Sequence, residues 1–290
     1  MRVDVTSDPR WFLDEGADFL LSDPVVNSVL LSNATNLAAL PDPDAAPAAW
    51  ALLREDETAA NGSVVLGAAM RTPPRGIVIS RLPAGGAATL TEALLPTCAD
   101  APTVGGPAPD VEEFAQLWSS RLGRGVTVGI QQRIYQLDRV FPVTGVSGRP
   151  RKARTEDLDT VVAWTLNFNQ DIAEPGGSPT AERVRAVNER KIDQGLIHIW
   201  DDDGPVSLVG TTPAVGGIVR IGPVYTPAEH RARGYASALT AAVSRQALRN
   251  GADACSLYTD LANPTSNQIY AAIGYRPLCD ATVYLVRSGS

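Results

Sequence analysis

Cysteine is scarce in this sequence. Cys98, Cys255 and Cys279 are the full set, odd in number and far apart. Such spacing makes neither a metal cluster nor a disulfide framework, so the three read as buried thiols of a reducing compartment. Histidine is scarcer still, with only His198 and His230. Basic charge is in deficit: 25 Lys and Arg face 32 Asp and Glu, for a net −7. That balance excludes a general nucleic-acid binder, because phosphate backbones call for a basic surface. No apolar run approaches the length of a membrane span, and Met1 to Asp8 are polar and acidic rather than a targeting segment. The expectation is a cytoplasmic protein with no membrane contact, no nucleic acid and no metal.

What is present belongs to a globular chain. Hydrophobic residues make up 44% and charged residues 20% of 290, enough for two ordinary domains. In the first half, Pro9 to Leu21 and Val25 to Leu40 read as helices, and Pro41 to Pro47 as a loop. Trp50–Glu55 and Ser63–Met70 read as a hairpin joined by a turn from Asp56 to Gly62. Gly76–Ser80 is a strand, Ala87–Leu95 a helix, Gly105-Gly106-Pro107 a loop, Val111–Leu122 an amphipathic helix and Val126–Leu137 a closing strand or hairpin. Between Phe141 and Pro150 the composition turns to linker chemistry, which places a boundary between residues 1–142 and 148–290.

The second half repeats that order. Thr155 caps a helix with Leu158, Val161, Val162, Thr165 and Phe168 on one face, and Ser178-Pro179 caps the next. Leu196–Trp200 and Pro205–Val209 form a hairpin about Asp203-Gly204, and Asp201-Asp202-Asp203 reads as a solvated turn. A strand over Gly217–Ile221, a helix from Tyr235 to the stop at Gly251, a strand over Ala254–Thr259, a helix over Asn263–Ile273 and a strand over Tyr284–Val286 follow. The matching order predicts a tandem duplication of one α/β unit (α+β type), each a mixed, mostly antiparallel sheet flanked by helices.

One loop differs between the halves. In Arg231-Ala-Arg-Gly-Tyr-Ala236, between strand and helix, first-turn amides lack intrahelical partners, and Arg231 and Arg233 add charge. Gly234 lets the backbone approach a ligand, so the loop can cradle a pyrophosphate. It carries neither the Gly-Lys-Ser/Thr of an NTPase loop nor the first glycine of a dinucleotide fingerprint. The first half offers Arg81-Leu-Pro-Ala-Gly-Gly at this place, which reads as a plain turn. About thirty residues on, Asn263-Pro-Thr-Ser266-Asn-Gln-Ile-Tyr270-Ala-Ala-Ile-Gly274-Tyr275 puts Asn263, Ser266, Asn267 and Tyr270 on one helix face, with Ile269, Ala272 and Ile273 expected on the buried one.

Together the two stretches resemble the paired motifs Gln/Arg-x-x-Gly-x-Gly/Ala and Asn-x-x-Ala/Ser-x-x-x-Tyr-x-x-x-Gly-Phe/Tyr of the GNAT superfamily of N-acetyltransferases. The resemblance covers residues 150 to 290 and rests on element order alone before that. It implies acetyl-CoA, or another acyl-CoA, as co-substrate and an amine of a small molecule or peptide as acceptor, attacking directly in a ternary complex. The amides of Ala232, Arg233, Gly234, Tyr235, Ala236 and Ser237, with Arg231, would hold the pyrophosphate. Val224 and Tyr225, with Thr226 beside them, would bond the pantetheine amides. Asn263 would bond the same arm, with Ser266 and Asn267 as lesser contacts, and Tyr270 would protonate the departing thiolate. Two of these have a second reading: Asn263 as a helix cap alone, Tyr270 as a core tyrosine.

An alkyl amine is protonated at neutral pH, so a base is needed. Glu229, Asp260 and the Asp171/Glu174 pair are the candidates, a water chain the alternative. His198, between isoleucines in a strand, reads as a core residue, and His230 as packing beside the cradle or meeting phosphate. Two rival functions stay open, an acyl-CoA sensor without turnover and an interaction protein, as a monomer or homodimer. The first half, 1–142, is expected to be non-catalytic.

Overall fold

The protein is described from a computed structural model that covers residues 1–40, 46–56, 63–172 and 179–287. The turn through residues 57–62, the loop at Glu174 and the expected cap Ser178 lie outside the described residues. The chain packs as two compact units, Met1–Ile134 with Cys279–Ser290, and Tyr135–Leu278.

The first unit holds β1 (Arg2–Thr6), α1 (Pro9–Glu15), α2 (Ala17–Ser22), α3 (Ser28–Ala39), β2 (Ala49–Arg54), β3 (Val65–Arg71), β4 (Ile77–Ile79), α4 (Gly86–Cys98), β5 (Thr103–Pro107), α5 (Asp110–Leu122) and most of β6 (Val126–Leu137). β1 to β4 pair antiparallel in sequence order, and β4 pairs parallel with β5. Successive residues of a strand face opposite sides, so Trp50 meets Phe12 of α1, ring centroids 5.1 Å apart, while Ala51 packs with Leu90, Leu94, Phe114 and Trp118 of α4 and α5. Burying each of these large side chains contributes about 1.5–3 kcal/mol.

Three expectations for this unit need correction. The helix over Pro9–Leu21 is two, broken at Gly16, where a Cβ would lie 2.7 Å from the Phe12 carbonyl. β1, which the polar N-terminus concealed, is an edge strand held by pairing with β2. Gly105-Gly106-Pro107 is strand rather than loop. A Cβ on Gly106 would stand 2.6 Å from Ile79 Cγ1, so the glycine is what admits its neighbour.

The second unit repeats the plan with β7 (Arg149–Lys152), α6 (Leu158–Ile172), α7 (Ala181–Asp193), β8 (Ile197–Asp201), β9 (Pro205–Thr211), β10 (Ile218–Tyr225), α8 (Tyr235–Arg249), β11 (Ala254–Asp260) and α9 (Pro264–Ile273). Pairing is again antiparallel from β7 to β10 and parallel between β10 and β11. β6, whose residues 135–137 belong to this unit, adjoins β11. β12 (Arg276–Val286) is longer than Tyr284–Val286, and from Cys279 on it counts with the first unit, where Ala281–Leu285 pair antiparallel with β5. Both units are thus mixed, mostly antiparallel sheets flanked by helices, in the same element order.

The two faces of the second sheet are covered differently. Leu208 joins Val161, Val162, Val184 and Ile199 beneath α6 and α7, whereas its neighbour Val209 joins Leu239, Val243 and Ile273 beneath α8 and α9. Residues 141–150, expected as linker, lie in this second unit, and the stretch from Val140 to Ser147 packs on it. Val140, Val143 and Val146 lean on its core, and Trp200 Nε1 donates to the Ser147 carbonyl at 2.7 Å. Thr180 caps α7 by accepting from the Arg183 amide.

Candidate active site

β10 keeps two neighbours for only part of its length. Its register with β11 runs Ile218↔Ala254, Val219↔Cys255, Arg220↔Ser256 and stops there. With β9 it continues to Tyr225↔Leu208, after an irregularity between Ile221 and Val224. The sequence supplies the reason. Pro223 has no N–H for a ladder, and Gly222 takes φ +146, so the strand is bent at this point. Beyond Arg220 the main chain of Gly222–Tyr225 is therefore available on its β11 side.

The strand runs into a tight loop. Thr226 Oγ1 shares a hydrogen bond with Ser207 Oγ at 2.9 Å, a short 3-10 turn spans Ala228–His230, and Ala232 (φ +62) and Gly234 (φ +81) are both left-handed. For an alanine that conformation costs about 1–2 kcal/mol, which the surrounding loop must offset. α8 then opens without a side-chain cap among the described residues, and Ala238 is the first amide of the helix to reach back, to the Gly234 carbonyl at 2.9 Å. The amides of Tyr235, Ala236 and Ser237 precede it at the positive end of the helix.

The two arginines behave differently. Arg231 bends back, donating from Nε to the Thr226 carbonyl at 2.9 Å and from Nη2 to Asp171 Oδ2 at 3.2 Å, with its guanidinium 6.0 Å from the Tyr225 ring. It closes the loop. Arg233 is exposed, and its charge reaches Asp202. Tyr235 points inward and donates from its hydroxyl to Asp202 Oδ2 at 2.5 Å, and Ser147 Oγ donates to the same oxygen at 2.7 Å. These bonds, Tyr235 first, hold the Asp202 carboxyl below the usual carboxylate range. The acidic run is therefore more than a solvated turn: Asp201 takes Arg151 Nε at 2.5 Å, and Asp202 ties the hairpin to α8.

On α9, Asn263 Oδ1 accepts from the Ser266 amide at 3.0 Å and so caps the helix. Asn267 spends its amide on the carbonyls of Asp260 (2.9 Å) and Asn263 (2.7 Å), and its Oδ1 accepts from the Tyr135 hydroxyl at 3.0 Å. Ser266 is half-buried. Tyr270 is 7% exposed, its ring 5.9 Å from Tyr275, and burial pushes its hydroxyl up to about 12. The expected face is corrected: Tyr270 and Ile273 are the buried residues and Ala272 is exposed. A tyrosine ring has far more apolar area to remove from water than an alanine methyl, so it sets the helix rotation.

The proposed bases are scattered. Glu229 is exposed on the 3-10 turn, Asp260 Oδ1 accepts from the Ala262 amide at 2.8 Å, and Asp171 pairs with Arg231. His198 is half-buried on β8, and burial, helped by Lys152, lowers it to about 4. His230 turns its ring edge toward Tyr235, centroids 6.5 Å apart. No local pattern marked Trp164, whose ring lies 6.3 Å from Tyr225, nor Tyr135 and Ser147, because each meets its partner far along the chain.

The corresponding end of the first unit has a similar helix start and a different loop. α4 begins behind Gly85, also left-handed at φ +76. β4 and β5 pair at Ile77↔Val104 and Val78↔Gly105, and Ile79 packs against Gly106. The Leu82 amide is taken by the Asp110 carboxylate at 3.1 Å. A side-chain anion already sits on that loop.

Comparison with known proteins agrees with the two motifs. The FR47-like protein family matches residues 210–285, which span β10, the loop, α8, β11 and α9. No curated protein sequence matches the chain. Among solved structures, a GCN5-related N-acetyltransferase from Sphaerobacter thermophilus is 14% identical with a TM-score of 0.66 over 100% of this chain and 97% of its own. A GNAT-family acetyltransferase from Colwellia psychrerythraea is 10% identical with a TM-score of 0.60, over 99% of this chain and 100% of its own. A tandem GNAT protein from the clavulanic acid biosynthesis pathway is 14% identical with a TM-score of 0.55, over 100% of both chains. The fold is that of the GNAT superfamily in tandem form.

Proposed function

We propose that this chain, with the fold of the GNAT acetyltransferases, is an acetyl-CoA-dependent N-acetyltransferase that works in its second unit. One observation carries the reading. The end of β10, Gly222–Tyr225, which lies beyond its register with β11, and the start of α8, uncapped among the described residues, are joined by a single nine-residue loop, residues 226–234, which supports an extended amide-bearing arm along the strand and two phosphoryl groups at the loop.

The residues fit such a cofactor. Val224 and Tyr225 offer main-chain amide and carbonyl groups to the arm, as an added strand would use them. The amides from Ala232 to Ser237, with Arg233, receive the pyrophosphate, and Gly234 keeps the approach open, since a Cβ there would already stand 3.0 Å from Val146. Arg231 shapes the loop. Asn263 and Asn267 hold the start of α9, and Ser266 is the member of that face with a hydroxyl to spare.

The chemistry then asks little of side chains. Positioning supplies much of the rate, and an amide at Val224 or Tyr225 steadies the carbonyl oxygen as it gains charge. Tyr270 serves the departing sulfur. With a value of about 12 it stays protonated while an amine acceptor loses its proton, and it acts mainly as a hydrogen-bond donor. The acceptor's proton leaves by Glu229, Asp260, Asp171 or water. The first unit, with Asp110 on its loop, is non-catalytic.

The test compares two ligands on Arg233→Glu. Calorimetric titration is expected to show the affinity for CoA falling by about tenfold or more and that for pantetheine, which lacks the pyrophosphate, unchanged. Equal losses would remove the cradle from the account.

A further inference from the structure

We propose that the amine acceptor is an arylalkylamine, a primary amine carried on a flat apolar body, and that Trp164 selects it. The inference rests on the acyl-transfer reading above and names the substrate class of that same site.

Tyr225 is the last residue of β10, and its register partner is Leu208, which lies beneath α6 and α7; Val224 is opposite Val209, beneath α8 and α9. The Tyr225 ring accordingly leans to the α6 side, where Trp164 meets it at 6.3 Å with the rings tilted 47°. α6 presents Trp164, Phe168 and Asp171 at i, i+4 and i+7, one stripe of the helix. Its two ends touch the end of β10 and the loop beyond: Trp164 at Tyr225, Asp171 at Arg231. Trp164, Phe168 and Tyr225 are all half-buried, so each keeps some ring surface in reach of a ligand. The Trp164–Tyr225 pair lies beside the main chain assigned to the thioester arm, with Phe168 on the same stripe of α6.

Charge decides between amine classes. Among the described residues Asp171 and Arg231 on this wall pair at 3.2 Å, and the guanidinium over Tyr225 repels a second positive charge. A polyamine or aminoglycoside needs several unpaired carboxylates; an arylalkylamine needs a ring surface and room for one nitrogen. In the step itself the neutral amine nitrogen forms a bond to the thioester carbonyl carbon and the carbon–sulfur bond breaks. The sulfur leaves as the CoA thiol with a proton replacing the one the nitrogen loses.

The experiment uses the full chain with acetyl-CoA and measures CoA thiol release with 2-phenylethylamine, tryptamine, spermidine and kanamycin. A parallel calorimetric titration measures 2-phenylethylamine binding to the CoA-loaded protein. The arylalkylamines are expected to exceed the polycations in kcat/KM by about tenfold or more, and Trp164→Ala to lower that value about tenfold through KM, with acetyl-CoA affinity kept. Trp164→Phe, which retains a ring, is expected to restore most of it and guards against a folding defect in the alanine variant. Preference for spermidine or kanamycin, or an equal loss for every amine in Trp164→Ala, would overturn the proposal and leave acyl transfer standing. Binding of 2-phenylethylamine that depends on Trp164 without any turnover would sink the enzymatic reading and keep the aromatic recognition.

Discussion

The hydroxyl of Tyr135 donates to Asn267 Oδ1 at 3.0 Å, across 132 residues of sequence. Tyr135 stands near the end of β6 and is 5% exposed, and Asn267 uses its other polar atom on the carbonyls of Asp260 and Asn263. The start of α9, and with it the position of Tyr270, is therefore fastened by a residue that the sequence order assigns to the first half.

That bond makes Tyr135→Phe a mild lesion and Asn267→Ala a severe one. The first forfeits one hydrogen bond, about 1 kcal/mol, and the second forfeits that bond and the two to the Asp260 and Asn263 carbonyls, which keep the Asn263 and Asn267 amides, about 2 kcal/mol. Urea denaturation should rank them in that order. Equal stability of the two variants would mean that α9 is held by packing alone.

Gly234 and Gly85 form a matched pair for separating strain from binding. Both are left-handed at the start of a helix, φ +81 and +76. Alanine at either position is expected to cost about 1–2 kcal/mol of stability. Gly234→Ala should also weaken CoA binding, while Gly85→Ala should leave it untouched. Calorimetry on both variants checks this.

Tyr270→Phe should lower kcat by about a hundredfold with the affinity for acetyl-CoA unchanged. Burial alone accounts for the raised value of the hydroxyl, about 12. Wild-type activity should thus climb with pH as the acceptor amine loses its proton, with no tyrosine-dependent fall until near that value. A falling limb at pH 9 to 10 that vanishes in the variant would contradict the burial seen for this ring.

His198 links stability to mild acid. Its folded value of about 4 lies below the ordinary 6.5, so between those values the unfolded chain binds the extra proton and stability falls as pH falls. The full shift corresponds to about 3 kcal/mol, and partial exposure reduces this to about 1–2 kcal/mol. Lys152, its register partner on β7, works in the same direction. His198→Gln should flatten the pH dependence of urea unfolding over that window.

Local chemistry settled much of this protein before any folding. Pro264 behind Asn263, Gly274 after Ile273, Gly234 ahead of Tyr235 and the alternation through β8 and β9 each specify their element from neighbours a few residues away, and the two spaced motifs point to one family. Other features have no local cause. Gly106 became strand because Ile79 needed the space, and Val143 and Val146 of the expected linker pack on a core that lay beside them. The inward turn of Tyr270, the grip of Tyr135 on Asn267 and the meeting of Trp164 with Tyr225 all depend on apolar area buried between segments far apart in sequence. Burial energy scales with the surface removed from water, wherever along the chain that surface comes from, and only the packed structure decides which pieces meet.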